Sequence, residues 1–198
     1  MERKLLILLG AVLLAGFSSC KQDPPYERLI RKELSKGVRQ DSLFLGLYLG
    51  MPRESFYRHC YNLNQKQLVR QGHGTLSVEY YLPDQDPQII MNFYPDFFEE
   101  KISQMPTSFV YRAWAPWNRK MFADSLQQQL MPIFMKWYGG NDFIFLKKEF
   151  FGPVYAKIDG NRRIVMSCKD DQHVLVVYTD LLAEKKAMAA KEQQGIEQ

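Results

Sequence analysis

The sequence predicts an α+β fold: helices packed on one face of an antiparallel sheet, with two helix-plus-strands halves as an open subdivision. Two observations carry this. Apolar residues recur at steps of three and four over 26–36, 52–68 and 118–138, and switch to alternation over 75–113 and 143–180. Short strands separated by tight turn signals pair with their neighbours, so a run of them after each helix makes an antiparallel sheet with helices laid on it. At 198 residues, 46% hydrophobic and 24% charged, the chain suits one compact domain over 26–182, with 26–113 and 114–182 as the halves. A polar tail rich in Ala, Lys, Glu and Gln follows at 183–198.

The elements follow in chain order. "KQDPP" (21–25) reads as the end of a tether, 20–25, whose prolines forbid helix. Tyr26, Leu29, Ile30 and Leu34 then mark a helix that stops near Gly37. "DSLFLGLYLG" (41–50) is short, apolar and bounded by glycine, and reads as a buried strand. Pro52 opens a second helix that carries Phe56, Cys60, Leu63 and Leu68. "TLSVEYYL", "QIIMNFYP", "KISQM" and "SFVYRAW" follow as strands, with Pro106 expected to mark an edge or bulge between the last two. A third helix is expected from Asn118 to the Gly139-Gly140 stop, with Pro132 inside it. Four more strands, "FIFLKKEF", "PVYAKI", "RRIVMSC" and "HVLVVYTD", are joined by turns that include "DGN" at 159–161.

Residues 1–20 differ in kind. Arg3 and Lys4 precede a 13-residue apolar stretch, Leu5 to Phe17, too short to span a bilayer and the right length for an export signal. It ends in Phe17-Ser18-Ser19-Cys20, which resembles a bacterial lipobox. The resemblance implies that 1–19 is removed as a lipoprotein signal peptide and that Cys20 becomes the acylated first residue. Two or more acyl chains give stable anchoring without a further membrane element. Lys21 in place of Asp lacks the residue that resembles an inner-membrane retention signal. The expected location is therefore the outer membrane, lipid-anchored, with periplasmic and cell-surface faces both open.

Little in the rest points to chemistry. Formal net charge is +4, and the "KK" and "RR" doublets at 147–148 and 162–163 fall in strands where solvated faces are expected, so nucleic acid is excluded. His59, His73 and His173 lack metal-site spacing, and no metal or other cofactor is expected. "DFFEE" (96–100) offers paired carboxylates, but acidic tips between strands are commonly solvated turns, and no catalytic motif accompanies them. The aromatics are the stronger signal. Trp114, Trp117 and Tyr94 are candidate partner-binding residues, while helical spacing from Phe134 puts Trp137 in the core. Cys60 and Cys168 are a candidate disulfide in an exported protein, weighed against two separate buried thiols, which is the expectation.

"FLGLYLGMPRESFYRHCYNLN" (44–64) resembles the Gly-Met-(Ser/Thr)-x-x-Glu helix opening of small envelope lipoproteins of the SmpA/OmlA type, through Gly50, Met51, Glu54 and Phe56. The order of helices and strands is also similar to the β-lactamase-inhibitor-protein fold. The whole chain resembles uncharacterised Gram-negative lipoproteins with "FYP", "WAPWN" and "WYG" stretches, here at 93–95, 114–118 and 137–139. These resemblances imply helices on an antiparallel sheet and an envelope location. The functional expectation is a binding or scaffolding accessory subunit for a protein or another envelope component. An envelope hydrolase with dispersed acid or histidine residues, and a carbohydrate-binding lipoprotein, remain as alternatives.

Overall fold

A computed structural model describes residues 24–72 and 77–196. The signal segment, Cys20 and most of the tether lie outside the described residues, as does His73. The described chain is α+β. Its strands are β1 (Arg70–Gln71), β2 (Val78–Tyr81), β3 (Ile89–Phe93), β4 (Asp96–Phe98), β5 (Lys101–Tyr111), β6 (Ile144–Glu149), β7 (Gly152–Asp159), β8 (Arg162–Cys168) and β9 (Val174–Asp180). They form one antiparallel sheet in the order β1-β2-β3-β5-β9-β8-β7-β6, with β4 pairing β5 beside β3. The earlier strands thus occupy one side and the later ones the other, joined where β5 pairs β9.

The helices are α1 (Pro25–Ser35), α2 (Arg53–Gln65), α3 (Ala123–Tyr138) and α4 (Leu181–Ile196). Phe56 of α2 and Leu126, Leu130 and Phe134 of α3 pack on the face formed by Met91, Met105, Phe109, Ile164, Met166, Val176 and Tyr178. Phe134 stacks on Tyr178 with ring centroids 6.0 Å apart. The single-face arrangement holds for α2 and α3 only. In the register Ala156, Val165 and Val177 are neighbours on the opposite face, and Leu29, Ile30 and Leu34 of α1 pack there against Ala156, Ile158 and Val165. Periodicity gives a helix its apolar stripe but not the face of the sheet it meets.

Several local expectations are corrected. Pro25 is the first residue of α1, where its preset φ and missing N–H suit the first turn. Residues 41–50 form a compact buried loop, not a strand. Leu45 and Gly46 have φ of 53° and 78°, the chain doubles back, and Leu43, Leu47 and Leu49 point into the core. β5 runs unbroken through Pro106. The Pro106 carbonyl accepts from Tyr94 N–H (3.4 Å), so its nitrogen faces the break between β3 and β4 and no bond to β9 is lost. α2 ends at Gln65, before Leu68, because Gln67 turns left-handed at φ 57°. Asn118 precedes a single 3₁₀ turn, Arg119–Met121, and α3 starts only at Ala123.

The largest correction concerns charge. Arg162, expected on a solvated face, is 2% exposed, and Lys157 is fully buried. Both belong to a cluster at the β7–β8 turn. Lys157 Nζ pairs with Asp159 (2.9 Å) and donates to the carbonyls of Gly139 and Asn141, which close α3. Arg162 lies over the Tyr138 ring (4.4 Å), donates to Ser42 O (2.6 Å) and faces Asp159 (3.6 Å). Asn161 donates to Asp41 (2.9 Å) and Asp180 (3.1 Å), and accepts from Gln40 N–H (2.7 Å). Arg39 bridges Asp41 and Asp180. Glu33 of α1 accepts from Gly160 N–H (3.2 Å) and Lys36 (2.6 Å). Gly160 is required at the turn: φ is +55°, and a Cβ would strike the Val38 carbonyl.

Burial alone would raise the Glu33 carboxyl, but the bonds from Lys36, Asn141 and Gly160 outweigh it and hold it below its usual 4.5. A depressed folded-state value stabilises the fold above the ordinary carboxylate range, and that contribution is lost as pH falls through the folded value. Glu33→Gln is therefore expected to lower stability at neutral pH by about 1–3 kcal/mol, the difference from wild type shrinking on acidification; urea titrations at stepped pH measure it. Lys157→Met leaves Asp159 short of its buried partner and is expected to cost about 3–5 kcal/mol in the same assay. A loss below about 1 kcal/mol would mean the cation is dispensable.

Candidate functional site

The sheet has two ends, and the structure separates the candidate residues between them. β3 ends beside Thr107 and opens at Tyr94, the end at which α2 begins and the β1–β2 connection lies. β5 ends at Tyr111, and Trp114 and Trp117 follow it, at the end that also holds the β6–β7 and β8–β9 turns. Tyr94 is therefore remote from the two tryptophans, and the three do not form one surface.

Around Tyr94 the chain builds a groove of about 370 Å³ between α2 and the β1–β2 edge. Phe56 and Cys60 form part of its base, and Val69 and Val78 line the sheet side. Tyr57 and Tyr61 rise from α2 and stay 46% and 64% exposed, because they fall four positions apart just off the Phe56–Leu63 stripe. Tyr57 and Tyr94 share a hydroxyl hydrogen bond of 2.7 Å, which fixes both rings, and Phe56 meets Tyr94 edge-on at 5.9 Å. This bond is the foremost influence on the Tyr94 hydroxyl, whose ionisation it pushes upward. At the groove's outer wall Arg70 pairs with buried Glu79 (2.5 Å) and lies over the Tyr81 ring (4.6 Å). The result is a preformed, tyrosine-rich cleft with few charges inside, suited to apolar or aromatic side chains of an incoming polypeptide.

Most of the remaining candidates have structural partners. Trp114 is half-buried against Phe122 at 5.9 Å, whereas Trp117 is 87% exposed. Trp137 is not a core residue. It is 39% exposed at the edge of α3, since Phe134 takes the core position beneath it. His59 bonds the Leu45 carbonyl (2.7 Å), pinning the buried loop, and His173 closes a turn with Asp170 (2.9 Å). Glu100 of "DFFEE" pairs with Arg53 (2.6 Å) at the start of α2. Cys60, half-buried in α2, and Cys168, buried at the end of β8, are both free, and desolvation pushes each thiol up to about 11. Among the described residues no group of three or more His, Cys, Asp or Glu is placed to hold a metal ion.

Sequence reasoning singled out Tyr94 but missed Tyr57 and Tyr61. The signal was present: two tyrosines one helical turn apart, off the apolar stripe of α2. Comparison with protein-family models, with curated proteins and with solved structures finds no match.

Proposed function

We propose that this chain is an outer-membrane-anchored lipoprotein and an accessory binding subunit of the envelope. Its working surface is the tyrosine groove between α2 and the β1–β2 edge, and its ligand is a polypeptide segment of an envelope partner. The observation that carries the reading is the exposed Tyr57 and Tyr61 pair standing over the wall formed by Tyr94, Val69 and Val78. Tyrosines supply large contact area with few rotors to freeze, which is why they dominate polypeptide-binding surfaces. The Tyr57–Tyr94 bond holds the rings in place before any partner arrives, lowering the entropic cost of binding. The anchor rests on the basic, apolar and small residues that precede Cys20 in the order of a lipobox.

Two substitutions test the two parts separately. Cys20→Ala is expected to abolish palmitate incorporation; undiminished labelling would remove the anchor from the account. Tyr61→Ala, at an exposed position, is expected to weaken capture of the partner from the protein's own envelope by roughly tenfold or more, as truncation of an interface anchor does, with little change in thermal stability. Capture at wild-type levels by the folded variant would overturn the groove as the binding surface.

A further inference from the structure

The tyrosine groove borders an open edge of the sheet, and the alternation of hydrogen bonds fixes which main-chain groups that edge presents. Leu82 N–H donates to the Ile89 carbonyl (3.0 Å), so Tyr80 and Val78 turn their main-chain groups toward β3 and Glu79 turns its own toward β1. Glu79 is opposite Arg70, and Gly72 N–H donates to the Ser77 carbonyl (2.9 Å), which continues the same alternation along β1. Arg70 and Gly72 are therefore turned to β2, while Val69 and Gln71 are turned outward. Asn64 Nδ2 donates to the Val69 carbonyl (3.0 Å). Gln71 is exposed, and its main-chain N–H and C=O have no partner among the described residues.

The other edge of the sheet is guarded. β6 has a bulge between Phe145 and Lys147 and carries Lys147 and Lys148, devices that keep edges from pairing. β1 carries no bulge, and its one charge, Arg70, is drawn onto buried Glu79 (2.5 Å). A cavity lies on each face of this edge. The groove of about 370 Å³ faces α2, and a second hollow of about 440 Å³ lies against the reverse face, lined by Leu68, Glu79 and Tyr81. Asn64, Val69 and Arg70 border both. Successive side chains of a strand point to opposite faces, so a strand laid along β1 sends one side chain into the groove and the next into the hollow. A helix keeps its main-chain groups bonded to itself and cannot use Gln71, whereas an extended polypeptide can. On the reverse face Arg70 and Arg112 both lie over the Tyr81 ring, at 4.6 and 5.8 Å, against the single carboxylate of Glu79. That balance favours an acidic side chain in the hollow, as the tyrosines favour an apolar or aromatic one in the groove.

We propose that the groove takes its polypeptide ligand by strand addition. An extended segment pairs with the main chain of Gln71 at the outer edge of β1, sets an apolar or aromatic side chain in the groove beside Tyr61, and sets the adjoining acidic side chain beside Arg70. The inference rests on the groove reading above and deepens it: the main chain of the ligand supplies part of the recognition, and its side chains are read in alternation.

The test pans random linear heptapeptides displayed on phage against the full-length protein in detergent micelles. Selected peptides are synthesised and titrated into wild type, Tyr61→Ala, Gln71→Ala and Gln71→Pro, with thermal stability read on each variant. Proline is tolerated at an edge position whose nitrogen faces outward, so Gln71→Pro deletes the outward donor without removing a bond to β2. Peptides that depend on Tyr61 are expected to bind Gln71→Ala within about twofold of wild type and to lose roughly fivefold or more on folded Gln71→Pro. They are also expected to carry an acidic residue next to the apolar one; its absence would overturn the placement beside Arg70. N-methylation of the peptide amides one at a time, against wild-type protein, reads the same pairing from the ligand and decides the matter even where the proline variant unfolds. Strand addition predicts losses at alternate amides. Tyr61-dependent peptides that tolerate folded Gln71→Pro, or that show no alternation on methylation, would overturn strand addition and leave the groove as the binding surface. A selection that yields no Tyr61-dependent peptide would overturn the groove itself, and this inference with it.

Discussion

Everything in this fold converges on the β7–β8 turn, where charged side chains are drawn out of water and made to satisfy one another. Buried Lys157 and Arg162 face Asp159, which offsets the cost of removing their charges from water, and buried Asn161 is satisfied by Asp41 and Asp180. Each partner arrives from a different segment: Glu33 from α1, Asp41 and Ser42 from the buried loop, the Gly139 and Asn141 carbonyls from the end of α3, and Asp180 from the end of β9, where it accepts from Leu182 N–H of α4. Mispacking of any one segment would strand a buried charge, so the cluster selects one arrangement of helices on the sheet. The cations Lys36, Arg39, Lys157 and Arg162 are balanced by Glu33, Asp41, Asp159 and Asp180. The apolar faces supply the bulk of the driving force, and the cluster supplies specificity.

This keystone also makes room for the groove. With α3 locked at its C-terminal end and the loop 41–50 pinned by His59, α2 is held over the earlier strands, and its outer tyrosines stand clear of the core. A rigid scaffold at one place permits a preformed cleft at another. Phe150, Phe151 and Trp117, at the far ends of the strands, contribute little to packing.

The α+β class, the strand order along the chain and most helix cores were legible because each depends on local period: two for strands, three to four for helices. Features set by long-range partners were not. "DSLFLGLYLG" is as apolar as a buried strand, and only the left-handed turn at Leu45 and Gly46, fixed by packing beneath α2, makes it a loop. The doublet Arg162-Arg163 reads as solvated because alternation says nothing of which residue meets a buried acid. Tyr94 was recognisable as an aromatic at a strand end, but its pairing with Tyr57 joins residues far apart in sequence. Trp114 and Trp117 share its aromatic character, and the sheet sets them at the other end from Tyr94.

If the charged cluster is the keystone, its amides should open only when the whole domain unfolds. Native-state hydrogen exchange on the N–H groups of Gln40, Asn141, Gly160 and Leu181, which bond into the cluster, measures this directly. The account predicts protection matching that of the central amides of β8 and β9. Exchange of these four at free energies lower by more than about 1.4 kcal/mol, a tenfold excess of local opening, would contradict it and reduce the cluster to a locally fraying corner of the sheet.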